Sequence, residues 1–357
     1  MSRVFVIAEA GVNHDGVLDD ALRLIDVAAG AGADAVKFQT FDAARLVTAR
    51  AARADYQAAN LGEAGDQLSM LRRLQLSHED HHRLARHAAD RGVRFMSTAF
   101  DVESLAFLAE FDMPAIKIPS GDITYAAMLL QAARLGLPII MSTGMATEAD
   151  IAEALAVIAW GLTREGLPTG PEDLVLAYAD PDARARLRAV VTLLHCTTEY
   201  PAPLESVNLR AMTGMGETFG LPVGYSDHTL GVTVPIAAVA RGATVIEKHF
   251  TLDRTRIGPD HAASLEPEEL AAMVRGVRDV EAALGSSHKQ VTAAEAGNRP
   301  IARRALVAAR PIAAGEPFSL DNLTAKRPAA GRSPMTVWSL IGCPAGRAYA
   351  EDEAIDP

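Results

Sequence analysis

His228 and His249 each close a short apolar run, LPVGYSDHT and TVIEKHFT, with an Ala/Val/Gly-rich helical segment between them. A strand–helix–strand unit places both histidines at one edge of a parallel sheet, the edge at which a (β/α)8 barrel builds its active site. Two imidazoles there can hold a divalent metal and leave coordination positions for substrate and water. Lys37 and Lys117 are the informative cations, because each sits inside an apolar strand-like run. A lysine in such a place is unfavourable unless its charge is paired. Beside Ser and Thr hydroxyls, two of them suit a phosphate and a carboxylate. Buried structural salt bridges are the alternative reading.

The remaining strand ends share this polarity. They offer Glu9 with Asn13 and His14, Gln39, Ser97 with Thr98, Ser120 with Asp122, Ser142 with Thr143, His195 with Thr197, Ser226, and Glu247. Alternation puts Lys37 and Gln39 on one face, and likewise Glu247 and His249. One polar strand end is ordinarily a satisfied hydrogen-bonding group; eight together argue for a site. Two other signals are discounted. His78-Glu79-Asp80-His81-His82 matches HExxH, but Ser77 reads as an N-cap, so the segment starts an outer helix on its solvent side. Cys196 follows an apolar strand and reads as a packed thiol, and no GxSxG elbow is present.

The elements that must position these groups are eight apolar, β-branched runs at 3–9, 35–41, 93–98, 115–120, 138–143, 190–197, 221–226 and 244–250. Strands buried on both faces read this way. Amphipathic helices lie between them, with clear examples at 19–32, 103–111, 148–161 and 268–285. Several end in Gly, the expected stop. The alternation predicts an α/β fold, a (β/α)8 TIM barrel over 1–285. An open doubly wound sheet is disfavoured, because AGVNHDG after the first strand is not GxGxxG. Residues 42–76 predict a loop with short helices over the barrel mouth, and 163–189 a Pro/Gly-rich, charged surface excursion. After Gly285 a polar linker, 286–300, leads to a small β-rich domain at 301–357. A domain of that size is marginal alone.

Composition excludes several classes. The 357-residue chain has 34 basic and 45 acidic residues, a net charge of -11, which argues against general nucleic-acid binding. An anionic substrate must then be captured by a local cationic cluster. Two distant cysteines imply no disulfide framework and a cytoplasmic setting. No run reaches the roughly 18 apolar residues of a membrane span, and the N-terminus reads as a strand, not a secretory signal.

The segments AEAGVNHDG, VKFQTF, KIPSGD, MSTGMAT, LLHCTTEYPAP, VGYSDHT, IEKHFTLD and GPDHAASLEP together resemble the sialic acid synthase family, which includes legionaminate-type enzymes. NLTAKRP resembles that family's antifreeze-like (SAF) domain. The resemblance spans nearly the whole chain in order. It implies condensation of phosphoenolpyruvate with an open-chain N-acylated mannosamine, releasing phosphate. His228 and His249 would then bind Mn2+ or Mg2+, with Glu9 assisting proton transfer or orienting the sugar. Lys37, Lys117, Ser120, Ser142 and Ser226 would hold phosphate and carboxylate. Gln39, Thr98, Asp122, Thr198, Tyr200 and Asp260 would line the substrate subsites. Arg327 would reach the sugar's N-acyl group from the small domain of a domain-swapped homodimer.

The departures lie near the sugar. Asp122 stands where the family often has Glu, Tyr125 where it has Asn, and KRPAAGRSP, with Ala329 and Arg332, replaces KRPGNGISP. STAF also replaces a more usual STPF. These changes leave the acyl sugar more open than the reaction. Two other readings are weighed against the synthase: a phosphoenolpyruvate-condensing barrel acting on a phosphorylated aldose, and a non-catalytic sugar-binding protein. The full set of polar strand ends argues against the latter.

Overall fold

The structure, a computed structural model, describes residues 3–61, 65–328 and 330–356. Part of the 42–76 insertion, at 62–64, and Ala329 therefore lie outside the described residues. The chain divides into two compact units, Met1–Gly285 and Ser286–Pro357.

In the first unit eight parallel strands close into a barrel in sequence order. They are β1 (Phe5–Gly11), β2 (Ala35–Thr40), β3 (Arg94–Ala99), β4 (Ile116–Ile118), β5 (Ile139–Ser142), β6 (Val191–His195), β7 (Val223–Asp227) and β8 (Val245–His249). The eight expected runs are thus the eight strands, each shifted or trimmed by a few residues.

Two apolar layers hold the barrel. The larger lies between sheet and outer helices, with Val6, Ala8, Val36, Phe38, Ile116, Ile118, Met141, Leu193, Tyr225 and Ile246 on the outer face of the strands. The smaller fills the lumen: Ile7, Ala35, Met96, Ala115, Ile140, Leu194 and Val245. Two residues beyond each lumen plug stands Glu9, Lys37, Thr98, Lys117, Ser142, Cys196 or Glu247. Since strand side chains repeat every two residues, the same lumen face is apolar at the bottom and polar at the top. Sequence alternation therefore delivers the polar groups to the C-terminal rim, above a dry plug.

Outer helices start and stop where local chemistry dictates. Ser77 caps the helix His78–Arg91 through a capping box with Asp80, and Gly92 ends it in the left-handed conformation at φ 73°. The HExxH-like segment starts this helix as expected, but not wholly on its solvent side. His81 is buried, its ring bridging Thr40 Oγ1 at 2.8 Å and the Ser77 carbonyl at 2.8 Å. Periodicity, not the motif, sets which histidine turns inward.

Two stretches carry helices that composition did not specify. Residues 163–189, expected as a surface excursion, include the helices Pro171–Ala179 and Pro181–Val190. Their prolines are helix starters at the first position, where a missing N–H is harmless, and Asp180 caps the second helix. Two single-turn helices, Ala293–Ala296 and Arg299–Ala302, lie within and just beyond the 286–300 stretch. The 42–76 segment forms the helices Ala43–Leu46, Asp55–Leu61 and Gln67–Leu74. It packs on the barrel rim through its own apolar cluster of Val12, Phe41, Ala43, Met70, Leu71 and Leu74.

The second unit is small and β-rich. Strands β9 (Ala305–Ala308) and β10 (Leu323–Lys326) pair antiparallel. A core of Leu306, Ala308, Ile312, Phe318, Leu323, Leu340, Ala345, Tyr349 and Ile355 holds it.

Candidate active site

Strand register assembles the site before any side chain is considered. Glu9 pairs with Lys37 on β2 and with His249 on β8. Gln39 pairs with Thr98, and Thr98 with Lys117. Ser226 pairs with Glu247. These residues and Ser120, Asp122, Ser142, Cys196, Thr198, Tyr200, His228 and Asp260 line one cavity of about 480 Å³ at the C-terminal rim. The barrel residues that the family resemblance assigns to metal and substrate all line this cavity. Arg327 belongs to the second unit, where it follows β10.

The strand ends divide into members that face the cavity and members that brace it. Asn13 Nδ2 donates to the Phe250 carbonyl at 2.8 Å and to Ser264 Oγ at 2.9 Å. His14 Nδ1 accepts from Gly16 N at 3.0 Å. Ser97 bonds Thr40 on the outer face, at 2.7 Å between hydroxyls. Thr143 donates to the Leu194 carbonyl at 2.9 Å, and the His195 ring meets the Val207 carbonyl at 2.7 Å. Cys196 is buried but reaches the cavity, with Sγ 3.3 Å from Ser120 Oγ.

The charged floor is a chain of alternating signs. Glu9 pairs with Lys37. Glu247 lies 3.6 Å from Lys37 Nζ and 3.3 Å from Lys117 Nζ, and it accepts from Ser226 Oγ at 2.7 Å. Lys37 Nζ also donates to Thr98 Oγ1 at 2.8 Å. All six groups are buried. Glu247 was visible in the sequence through its alternation with His249, yet it was not assigned to the site. Its partners come from strands distant in sequence.

These neighbours separate the two carboxylates. Burial pushes Glu9 up to about 7, with Lys37 opposing and Glu247 reinforcing the rise. Burial also pushes on Glu247, but Lys117, Lys37 and the Ser226 hydroxyl outweigh it and hold that carboxyl well below the usual range. Glu247 is therefore the fixed counter-ion. Glu9 is poised to give or take a proton near neutrality. Lys37 is held above its ordinary value because Glu247 and Glu9 together outweigh its own burial.

The two imidazoles lie 5.6 Å apart, centroid to centroid, under the ring of Tyr200, which is 4.1 Å from His228 and 5.7 Å from His249. Burial lowers both, and for His249 the neighbouring His228 and Lys37 lower it further. Both are thus neutral near pH 7, the form that ligates metal. His228 Nδ1 donates to the Thr197 carbonyl at 2.6 Å, which leaves Nε2 with its lone pair. Among the described residues, His249 Nδ1, Ser142 Oγ and Asp122 Oδ2 are buried without hydrogen-bond partners. No cluster of three or more His, Cys, Asp or Glu suited to a metal occurs among the described residues. What fits a divalent ion is the pair itself, His228 with Nε2 open and His249 with Nδ1 unpartnered, the other positions being left to oxygen ligands.

The NeuB family model matches residues 24–289. The chain belongs to the NeuB family. The SAF domain model matches residues 303–355, so both parts of the expected resemblance are met. The N,N'-diacetyllegionaminic acid synthase of Campylobacter jejuni is 44% identical, over 99% of both chains. The protein of the same name from Legionella pneumophila is 43% identical, over 95% of this chain and 89% of that one. Among solved structures, N-acetylneuraminic acid (sialic acid) synthetase from Leptospira borgpetersenii, in complex with citrate, superposes with a TM-score of 0.66. It is 32% identical and covers 83% of this chain and 90% of its own. Membership makes the chain an enzyme of the sialic and legionaminic acid synthase type. No described helix is long and apolar enough to cross a membrane.

Proposed function

We propose that the protein condenses phosphoenolpyruvate with an open-chain N-acylated mannosamine-type sugar, giving a nine-carbon 2-keto acid and phosphate. The observation that carries this is the convergence, in one cavity, of a two-lysine anion pocket with a pair of neutral histidines. Lys37, Lys117, Thr98, Ser120, Ser142 and Ser226 would hold the phosphate and carboxylate, where Ser142 Oγ awaits a partner. The double-bond carbon C3 of phosphoenolpyruvate bonds to the aldehyde carbon. Water adds at C2, and the C–O bond to phosphate breaks. The tetrahedral C2 then collapses to the ketone as phosphate leaves. Of the water's two protons, one reaches the former aldehyde oxygen and the other departs with the phosphate; Glu9, set near neutrality by burial, can relay the first. A divalent ion, Mn2+ or Mg2+, held by His228 and His249, would supply Lewis-acid polarisation of the aldehyde and orient the water. Gln39, Asp122, Thr198, Tyr200 and Asp260 face the rest of the cavity, where the sugar would lie.

The names of the two relatives above favour 2,4-diacetamido-2,4,6-trideoxymannose over N-acetylmannosamine as the acceptor. Phosphate release from phosphoenolpyruvate with Mn2+ and each sugar tests this. Release with the diacetamido sugar at higher kcat/KM supports it. Preference for N-acetylmannosamine reassigns the sugar, and release only with erythrose 4-phosphate or arabinose 5-phosphate overturns the reading.

The family resemblance further supports a homodimer in which Arg327 of one copy completes the sugar site of the other. Mixing an Arg327→Ala chain with a His249→Ala chain tests it. A swapped dimer regains one intact site per mixed pair; an unswapped one stays inactive.

A further inference from the structure

Directly outside the histidine pair lies an ion pair that the proposed chemistry does not use. Asp227 precedes His228 and Lys248 precedes His249, and the two are opposite each other in the β7–β8 register. Alternation turns them away from the lumen, and neither lines the cavity. Both are fully buried, at 0% exposure, with Lys248 Nζ 2.5 Å from Asp227 Oδ2. The same ammonium group donates to the Thr229 carbonyl. The Asp227 carboxylate accepts from Thr229 N and Thr229 Oγ1, both at 3.1 Å. His228 is therefore bracketed in sequence by two residues tied to one ammonium group, and that group belongs to the residue before His249.

A fully buried ion pair is a poor source of stability, because desolvation offsets most of the attraction and a well-packed apolar pair does as well. What such a pair supplies is register. An ammonium group that must meet one carboxylate and one carbonyl permits a single arrangement of the two strand ends. An apolar pair tolerates sliding and rotation. The next step along both strands carries the imidazoles, whose centroids are 5.6 Å apart. We infer that Asp227, Lys248 and Thr229 form a clamp that sets the spacing and orientation of His228 and His249, and thereby the affinity for the divalent ion. These are positioning residues, and the inference rests on the metal reading above.

The test is Mn2+ binding by isothermal titration to the metal-stripped full chain, without substrates. It compares wild type with Asp227→Leu/Lys248→Met and with the milder Thr229→Val. Thermal unfolding and phosphoenolpyruvate binding are recorded alongside. The expected result is a Kd for Mn2+ weakened about 10- to 100-fold in the double variant, the range for loss of groups that orient metal ligands. Thr229→Val should weaken it less. Phosphoenolpyruvate binding should change less than threefold and the melting temperature should stay close to wild type. Wild-type Mn2+ affinity in a folded double variant overturns the clamp alone. If the double variant does not fold, Thr229→Val decides: unchanged Mn2+ affinity there overturns the clamp. Absence of Mn2+ binding in wild type overturns both the clamp and the metal reading.

Discussion

The carboxylate of Glu247 stands 3.3 Å from the ammonium group of Lys117, and with its other oxygen it also faces Lys37 at 3.6 Å. One anion thus holds two lysines from different strands aimed at one cavity. Without Glu247, Lys117 would lose its ion pair and Lys37 would keep only Glu9.

Removing one of those lysines strands a buried charge. Lys37→Met leaves Glu9 and Glu247 without their shared partner and should destabilise the barrel by about 3–5 kcal/mol. Urea unfolding followed by circular dichroism measures this. Pairing the change with Glu9→Gln should recover part of the loss, because one stranded carboxylate is gone.

The wall between β7 and β8 leaves no room for a methyl group at Gly224. A Cβ there would meet the Val245 carbonyl oxygen at 2.4 Å and Leu194 Cδ2 at 2.7 Å. Backbone cannot step aside as a flexible side-chain end can, so Gly224→Ala should cost about 3 kcal/mol. It should also loosen Ser226, two residues on. The measurements are the unfolding midpoint and the KM for phosphoenolpyruvate, which should rise.

Asp122 should make stability fall as pH rises. Burial first, and Asp101 second, push its carboxyl from 3.8 to about 6. The folded chain therefore holds this proton more tightly than the unfolded chain. The ionised group opposes folding fully above about pH 6, progressively less down to about pH 4, and not at all below that. Asp122→Asn should raise the melting temperature at pH 8, with the gain shrinking across that window. A constant gain from pH 8 to pH 4 would contradict the assignment.

His228→Ala and His249→Ala should each abolish Mn2+ binding and lower phosphate release on the order of 10³-fold, since a Lewis acid is worth several kcal/mol. A chelator should do the same to wild type, and added Mn2+ or Mg2+ should restore it. Near-normal turnover in either variant, with a retained circular dichroism spectrum, would refute the metal assignment.

The barrel was legible because its two periodicities are local. Most strands carry an apolar residue and, two positions on, a polar one, as in Ile7 with Glu9 and Ala35 with Lys37. Which polar neighbour faces inward at a strand's end was less so. Ser97 and Thr98 are adjacent and chemically alike, yet one braces the outer face and the other bonds Lys37. The helices at 171–190 were missed because proline and glycine punctuate loops and helix starts alike. Glu247 was passed over for a different reason. Its importance lies in Lys37, Lys117 and Ser226, which strand order, not spacing, brings to it.

The cavity has two owners. Its floor of lysines, carboxylates and histidines grows from barrel strands, whereas Leu46, Val47, Gln57, Gln67, Met70, Leu71 and Leu74 of the β2–β3 insertion form another part of its wall. That insertion carries its own apolar cluster, whereas the ion pairs of the charged floor join strand residues. A change confined to the insertion would therefore reshape that wall while leaving the charges set by the strand ends where they are.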